Sequence, residues 1–249
     1  MRYKHFKNAD ADISALTVGT WGIAGANSAG VTWGDVDTEE SIAAIRQMID
    51  NGVNMVDTAP IYGDGHSETV VGQALKDGYR EKVYLATKFG SYISHYTGKS
   101  VRDNKYNSVE REIDESLARL QTDYIDFYIM HWPDENTPIE ETMGALKSAL
   151  DSGKALYVGL SNYSAKETEA AVLAAEKLGF KLLIHQPRYS MLDRWIEDDL
   201  QETLTEAGIG IIAFKPLYQG LLTEKYLHGI PEDSRMRDPH YATFHDDSL

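Results

Sequence analysis

Short apolar runs alternate with amphipathic stretches of helical period along most of the chain. The runs Leu16–Gly19, Val53–Asp57, Val83–Lys88, Asp126–His131, Leu156–Ser161, Leu182–Gln186 and Gly210–Phe214 read as strands. Several are apolar at successive positions, as strands covered on both faces are in a parallel sheet. Their starts lie about thirty to forty residues apart, the size of a βα unit.

The intervening stretches carry helix signals. Ile42, Ile45 and Ile49 form a stripe that opens near Thr38, Glu39 and Glu40 and stops at Asn51-Gly52. Ser67 reads as the cap of a helix ending at Gly78. Val109, Ile113, Leu117 and Leu120 make a stripe with Asn107 or Ser108 as its cap. Thr137-Pro138-Ile139-Glu140 reads as a capping box with proline at the first helical position, before Met143, Leu146 and Leu150. Ser164 with Glu167 reads as a second box, ended at Gly179. A last helix is expected near Glu197–Ala207, before Gly208. Seven such units without a break predict one (β/α)8-type TIM barrel over residues 1–249, as a single domain. A doubly wound sheet is the runner-up. It calls for a glycine-rich phosphate loop after the first strand, and Gly19-Thr20-Trp21-Gly22-Ile23-Ala24-Gly25 lacks that spacing. From Gly229 to Leu249 the chain is polar, with Pro231 and Pro239, and supplies no eighth strand. The expectation is therefore a barrel whose eighth βα unit is absent from this chain, with residues 230–249 as a polar tail.

Composition narrows the classes. Of 249 residues 42% are hydrophobic and 25% charged, a globular balance. Lys and Arg number 24 against 39 Asp and Glu, a net −15, and no basic patch with interleaved aromatics is present. Nucleic acid is therefore not an expected partner. No eighteen-residue apolar run occurs, so no membrane span is expected. Cysteine is absent, which removes disulfides, thiolate metal sites and thiol nucleophiles. Met1-Arg2-Tyr3-Lys4-His5 leads into polar sequence, so a cytoplasmic setting is expected.

In a (β/α)8 fold the active site lies at the C-terminal strand ends. Asp57, Lys88, His131, Ser161 with Asn162, and Gln186 end the second to sixth strands, and Tyr62 follows Asp57 by five residues. These types suit carbonyl reduction. A tyrosine donates the proton, and lowering its pKa by two units needs roughly 2.7 kcal/mol. A lysine ammonium ~4 Å away supplies up to about 4 kcal/mol at an effective dielectric near 20. Asp57 would keep Lys88 charged, and His131 would orient the carbonyl oxygen. Ser161, Asn162 and Gln186 suit recognition of a carboxamide such as that of nicotinamide. Singly, each has a plainer reading: a structural ion pair for Asp57 or Lys88, a core histidine for His131, a packing residue for Tyr62. Trp21, Trp33, Trp132 and Tyr92 are an aromatic pocket or ordinary packing.

At these residues the sequence resembles the aldo-keto reductase family. Asp57-Thr58-Ala59-Pro60-Ile61-Tyr62-Gly63 with Ser67-Glu68 resembles the signature around the family's aspartate and tyrosine. Ala86-Thr87-Lys88 resembles its lysine segment, Asp123 through Pro133 its histidine segment, and Gly159-Leu160-Ser161-Asn162-Tyr163 its nicotinamide-contacting segment. The resemblance covers residues 1–230. It implies a TIM barrel, NADPH or NADH as cofactor, and reduction of an aldehyde or ketone, a sugar aldehyde among them. Tyr62 would be the general acid, Lys88 and Asp57 its tuning pair, and His131 the orienting donor. Thr20, Trp21, Ser161, Asn162, Gln186, Tyr189, Pro216, Leu217, Gln219, Gly220 and Lys225 would contact the cofactor. Trp21 and Trp132 would line the substrate pocket. Two positions depart from the pattern: Lys215 replaces a small hydroxyl residue, and Glu224 replaces a glycine beside Lys225. The family's last βα unit, which grips the adenosine 2′-phosphate, is missing. Two other classes compete: a cofactor-binding regulatory subunit of the same fold, and a metal-dependent barrel enzyme using Asp57, His131 and His185. Adjacent strand residues face opposite ways, so His185 and Gln186 cannot both face the mouth.

Overall fold

A computed structural model describes residues 1–6, 8–25, 36–94, 96–97, 99–232, 234 and 237. Trp33 and most of the polar tail lie outside them. In order, the elements are β1 (Tyr3–Phe6), β2 (Ala11–Ser14), β3 (Val18–Gly19), α1 (Thr38–Asp50), β4 (Met55–Asp57), α2 (His66–Ala74), β5 (Tyr84–Phe89), β6 (Ser91–Ile93) and β7 (Ser100–Arg102). Then come α3 (Tyr106–Leu120), β8 (Ile125–Met130), α4 (Ile139–Asp151), β9 (Ala155–Ser161), α5 (Ala165–Lys177), β10 (Ile184–Gln186), α6 (Leu200–Ala207) and β11 (Gly210–Ile211). Seven parallel strands curl in the order β11-β10-β9-β8-β5-β4-β3. Successive helices pack on one another, α1 on α2 through α5 on α6. Each unit thus lies beside the one before it, the arrangement of a TIM barrel. The doubly wound alternative fails, because the strand order never reverses.

Strand residues alternate between two apolar layers. Val56, Leu85, Tyr128, Met130, Val158 and Leu160 pack outward with the helices. Met55, Ala86, Phe127, Ile129 and Ile184 face inward. The antiparallel β1–β2 hairpin supplies Ala9, Ala11 and Ile13 to that inner layer. Two glycines admit bulk there: a Cβ on Gly159 would stand 2.5 Å from Ile184, and one on Gly210 would stand 2.0 Å from the Phe6 ring.

Several helix starts differ from expectation. α1 does open at Thr38, with Asp37 as its cap, accepting from the Glu40 N–H at 2.9 Å. Ser67 lies inside α2, whose cap is the left-handed Gly65, because its hydroxyl is engaged by Thr20 and Thr58. Neither Asn107 nor Ser108 caps α3, since Lys105 stands there and Ser108 donates to Asp103. No box forms at Thr137, whose hydroxyl donates to Asp134, and Pro138 precedes the first helical residue of α4. The Ser164–Glu167 box is present. The β1–β2 and β6–β7 hairpins lie outside the seven apolar runs.

One buried carboxyl yields a stability prediction. Glu112 of α3 accepts the Gly90 N–H at 2.9 Å, while its other oxygen is buried without a partner. Burial pushes its pKa up from 4.5 to about 7. A raised folded value means the contribution to stability is full below pH 4.5 and fades as the pH rises through about 7. Glu112→Gln, neutral at every pH, should therefore gain about 3 kcal/mol on wild type between acid and mildly alkaline solution. Urea unfolding across that range measures the gain, and parallel curves for the two proteins would refute it.

Candidate active site

The polar strand ends follow from the alternation just described. Two residues beyond inward-facing Met55, Ala86, Ile129, Gly159 and Ile184 stand Asp57, Lys88, His131, Ser161 and Gln186. A period of two keeps each on the inner face, one rung nearer the C-terminal mouth.

Lys88 is the hub. It is fully buried, and its Nζ donates to both Asp57 carboxylate oxygens at 2.9 Å, to the Thr58 carbonyl at 2.9 Å and to the Tyr62 hydroxyl at 3.2 Å. Burial alone would lower its pKa, but Asp57 and Tyr62 more than offset that, and the net direction is up. Gln186 Nε2 donates to Asp57 Oδ1 at 2.9 Å. The Asp57 main-chain carbonyl accepts from both the N–H and the hydroxyl of Thr20, at 3.0 and 2.9 Å. Thr58 was not singled out from the sequence, because its part is played by a backbone oxygen.

Tyr62 meets Trp21 edge-on at 5.0 Å and His131 at 5.9 Å between ring centroids. Its phenol differs from the sequence expectation. Burial raises its pKa above the ordinary 10.0, and Asp57 raises it further, so the lowering by Lys88 does not prevail. The phenol is therefore held protonated. His131 is driven well below 6.5 by burial and then by Lys88, so its ring is neutral. Trp132 stacks on His131 with centroids 6.4 Å apart, and Arg102 lies over its ring at 4.8 Å. Tyr92 sits on the β6–β7 hairpin opposite Val101.

Ser161, Asn162 and Gln186 form one rim. Ser161 Oγ donates to the Gln186 carbonyl at 2.8 Å, and Asn162 Nδ2 to the His131 carbonyl at 2.9 Å. Asn162 is left-handed, with φ of 62°, a conformation asparagine tolerates better than most residues. Among the described residues no hydrogen bond engages the side-chain carbonyl oxygens of Asn162 and Gln186. Both can accept from a carboxamide NH2, so the rim fits a nicotinamide.

The remaining cofactor candidates lie farther round the mouth. Tyr189 donates its hydroxyl to Glu197 at 2.6 Å, and its ring packs against the outer core. Lys215, Tyr218, Gln219 and Gly220 all have positive φ in the loop after β11, which also carries exposed Pro216 and Leu217. Lys225 lies on the short turn Glu224–Tyr226. His185 points away from the mouth and shares a hydrogen bond of 3.2 Å with the Tyr163 carbonyl, as the opposite-face argument required. Asp57, His131 and His185 therefore do not converge on one metal.

A strand-and-helix barrel with this polar rim has the frame of a TIM-barrel oxidoreductase. The model of the Aldo/keto reductase family matches residues 15–245, and the chain belongs to that family of NAD(P)H-dependent oxidoreductases. It is 40% identical over 243 residues to the L-glyceraldehyde 3-phosphate reductase of Escherichia coli K12, covering 95% of this chain and 67% of the relative. It is 37% identical over 226 residues to the NADH-specific methylglyoxal reductase of the same organism, covering 86% and 67%. An aldo/keto reductase from Klebsiella pneumoniae in complex with NADP and acetate superposes with a TM-score of 0.69 at 30% identity, covering 87% of this chain and 69% of that one. Among the described residues no helix is long and apolar enough to cross a membrane.

Proposed function

We propose that this chain reduces a short aldehyde, a hydroxyaldehyde or sugar aldehyde among them, with NADPH as the hydride source and Tyr62 as the proton donor. The observation that carries this reading is the Tyr62 hydroxyl 3.2 Å from the Lys88 ammonium at the barrel mouth. The reduced nicotinamide, when bound, supplies the hydride. Ser161, Asn162 and Gln186 would hold its carboxamide. Thr20, Trp21, Tyr189, Pro216, Leu217, Gln219, Gly220 and Lys225 would line the rest of its path. His131, kept neutral, donates a hydrogen bond to the substrate oxygen and aims it at Tyr62. As negative charge grows on that oxygen, Tyr62 gives up its proton. The phenolate left behind faces Lys88, whose charge Asp57 holds in place. Trp21 and Trp132 would flank the carbonyl.

The substrate class draws on the two relatives named for small oxygenated aldehydes. The cofactor choice draws on the NADP-bound neighbour, set against a relative that is NADH-specific. Stopped-time assays with NADPH and NADH, followed by loss of reduced-nicotinamide absorbance on a panel of short aldehydes, test it. Turnover is expected with both, faster with NADPH. Saturable NADPH binding with no turnover on any member of the panel would overturn the reading in favour of a cofactor-binding regulatory role.

A further inference from the structure

Ser67 and Glu68 belong to the signature segment but have no part in the chemistry above, and both side chains are fully buried. A buried carboxylate is costly unless paired. Here both oxygens are occupied: Thr87 Oγ1 donates to Glu68 Oε1 at 2.6 Å, and Arg119 Nε donates to Oε2 at 2.6 Å. Thr87 immediately precedes Lys88 on β5 and faces the opposite side of the strand. Glu68 therefore grips, from behind, the strand that carries the ammonium.

The same helix turn also holds the acid. The Ser67 N–H donates to the Tyr62 carbonyl at 3.2 Å, and Ser67 Oγ donates to Thr20 Oγ1 at 2.7 Å. Between Tyr62 and α2 the chain turns through Gly65, which is left-handed at φ of 90°. A Cβ there would stand 2.6 Å from Cδ of Arg119, so the arginine stem packs directly on that turn. Arg119 thus presses on the segment bearing Tyr62 while it pairs with Glu68.

We propose that Glu68 is a positioning residue for carbonyl reduction: by holding Thr87 and Arg119 together, it fixes the separation between the Tyr62 hydroxyl and the Lys88 amine. This rests on the reading of Tyr62 as the acid. The test makes Thr87→Val and Glu68→Gln, each in the wild-type and Tyr62→Phe backgrounds, and assays them well below their unfolding midpoints. Each should lower kcat about tenfold or more, with aldehyde KM and NADPH Kd within about twofold of wild type. The loss should vanish in the Tyr62→Phe background, because the two residues act on one step. An unchanged kcat, or an equal loss in both backgrounds, overturns the proposal, since a purely structural ion pair would lower only the unfolding midpoint. A second readout is the titration of the Tyr62 ring by NMR on tyrosine-labelled protein, assigned by its loss in Tyr62→Phe. Thr87→Val changes no charge, so a phenol drawn away from Lys88 titrates higher, and an unmoved titration overturns the proposal as well. Should Tyr62→Phe turn over like wild type, the acid reading fails while this titration still decides the role of Glu68.

Discussion

Replacing Tyr62 with phenylalanine should lower kcat by about 10²- to 10⁴-fold, the range general acid catalysis supplies, or about 3 to 5 kcal/mol of barrier. The fold should be unaffected. Lys88 keeps both Asp57 oxygens and the Thr58 carbonyl, and the phenylalanine ring keeps its edge against Trp21. NADPH affinity, measured by titration of the purified variant, should stay within about twofold of wild type, because the rim of Ser161, Asn162 and Gln186 is untouched. The pH profile gives a second signature. The phenol is protonated up to and beyond its ordinary 10.0, so wild-type kcat/KM should stay level through neutral pH and fall only in strong alkali. A wild-type rate in the variant, or a wild-type limb falling near neutrality, would refute the assignment of Tyr62 as donor.

The second large effect is on the fold itself. Lys88→Met has a side chain of similar length but leaves the buried Asp57 carboxylate with the Gln186 amide alone. Breaking a buried pair from one side costs about 3 to 5 kcal/mol. Urea unfolding at neutral pH should show a loss of that size, together with loss of turnover. Adding Asp57→Asn removes the stranded charge, so the double variant should recover stability and remain inactive. Unchanged stability in Lys88→Met would mean the pair is not buried as described.

Much of this was legible in the sequence because burial leaves a pattern. The apolar runs ending in Asp57, Lys88, His131, Ser161 and Gln186 mark both the strands and, by their period of two, the side facing the mouth. The Ser164–Glu167 box was legible for a similar reason: all of its partners lie within one helical turn. Ser67 misled because its hydroxyl serves Thr20, a residue that only the fold brings near. Thr137 misled because its hydroxyl turns back three residues to Asp134 instead of forward into the helix. The direction of the Tyr62 shift was hidden too. The Lys88 charge can be read from the chain, but the burial that outweighs it depends on Trp21, His131 and the rest of the barrel mouth. Glu112 is a helix-surface glutamate by pattern, and only the arrival of Gly90 over it shows otherwise.

The Lys88–Asp57 pair has a consequence for behaviour in different buffers. The lysine is wholly enclosed and the Asp57 side chain only 11% open, so dissolved ions cannot enter between them. Mobile ions screen exposed charges within about 10 Å at ordinary ionic strength but scarcely reach enclosed ones. Added salt will therefore leave the chemical step alone and act on the approach of the dinucleotide, an anion nearing a protein of net charge −15. In this molecule ionic strength governs the encounter, and the interior pair keeps its own counsel.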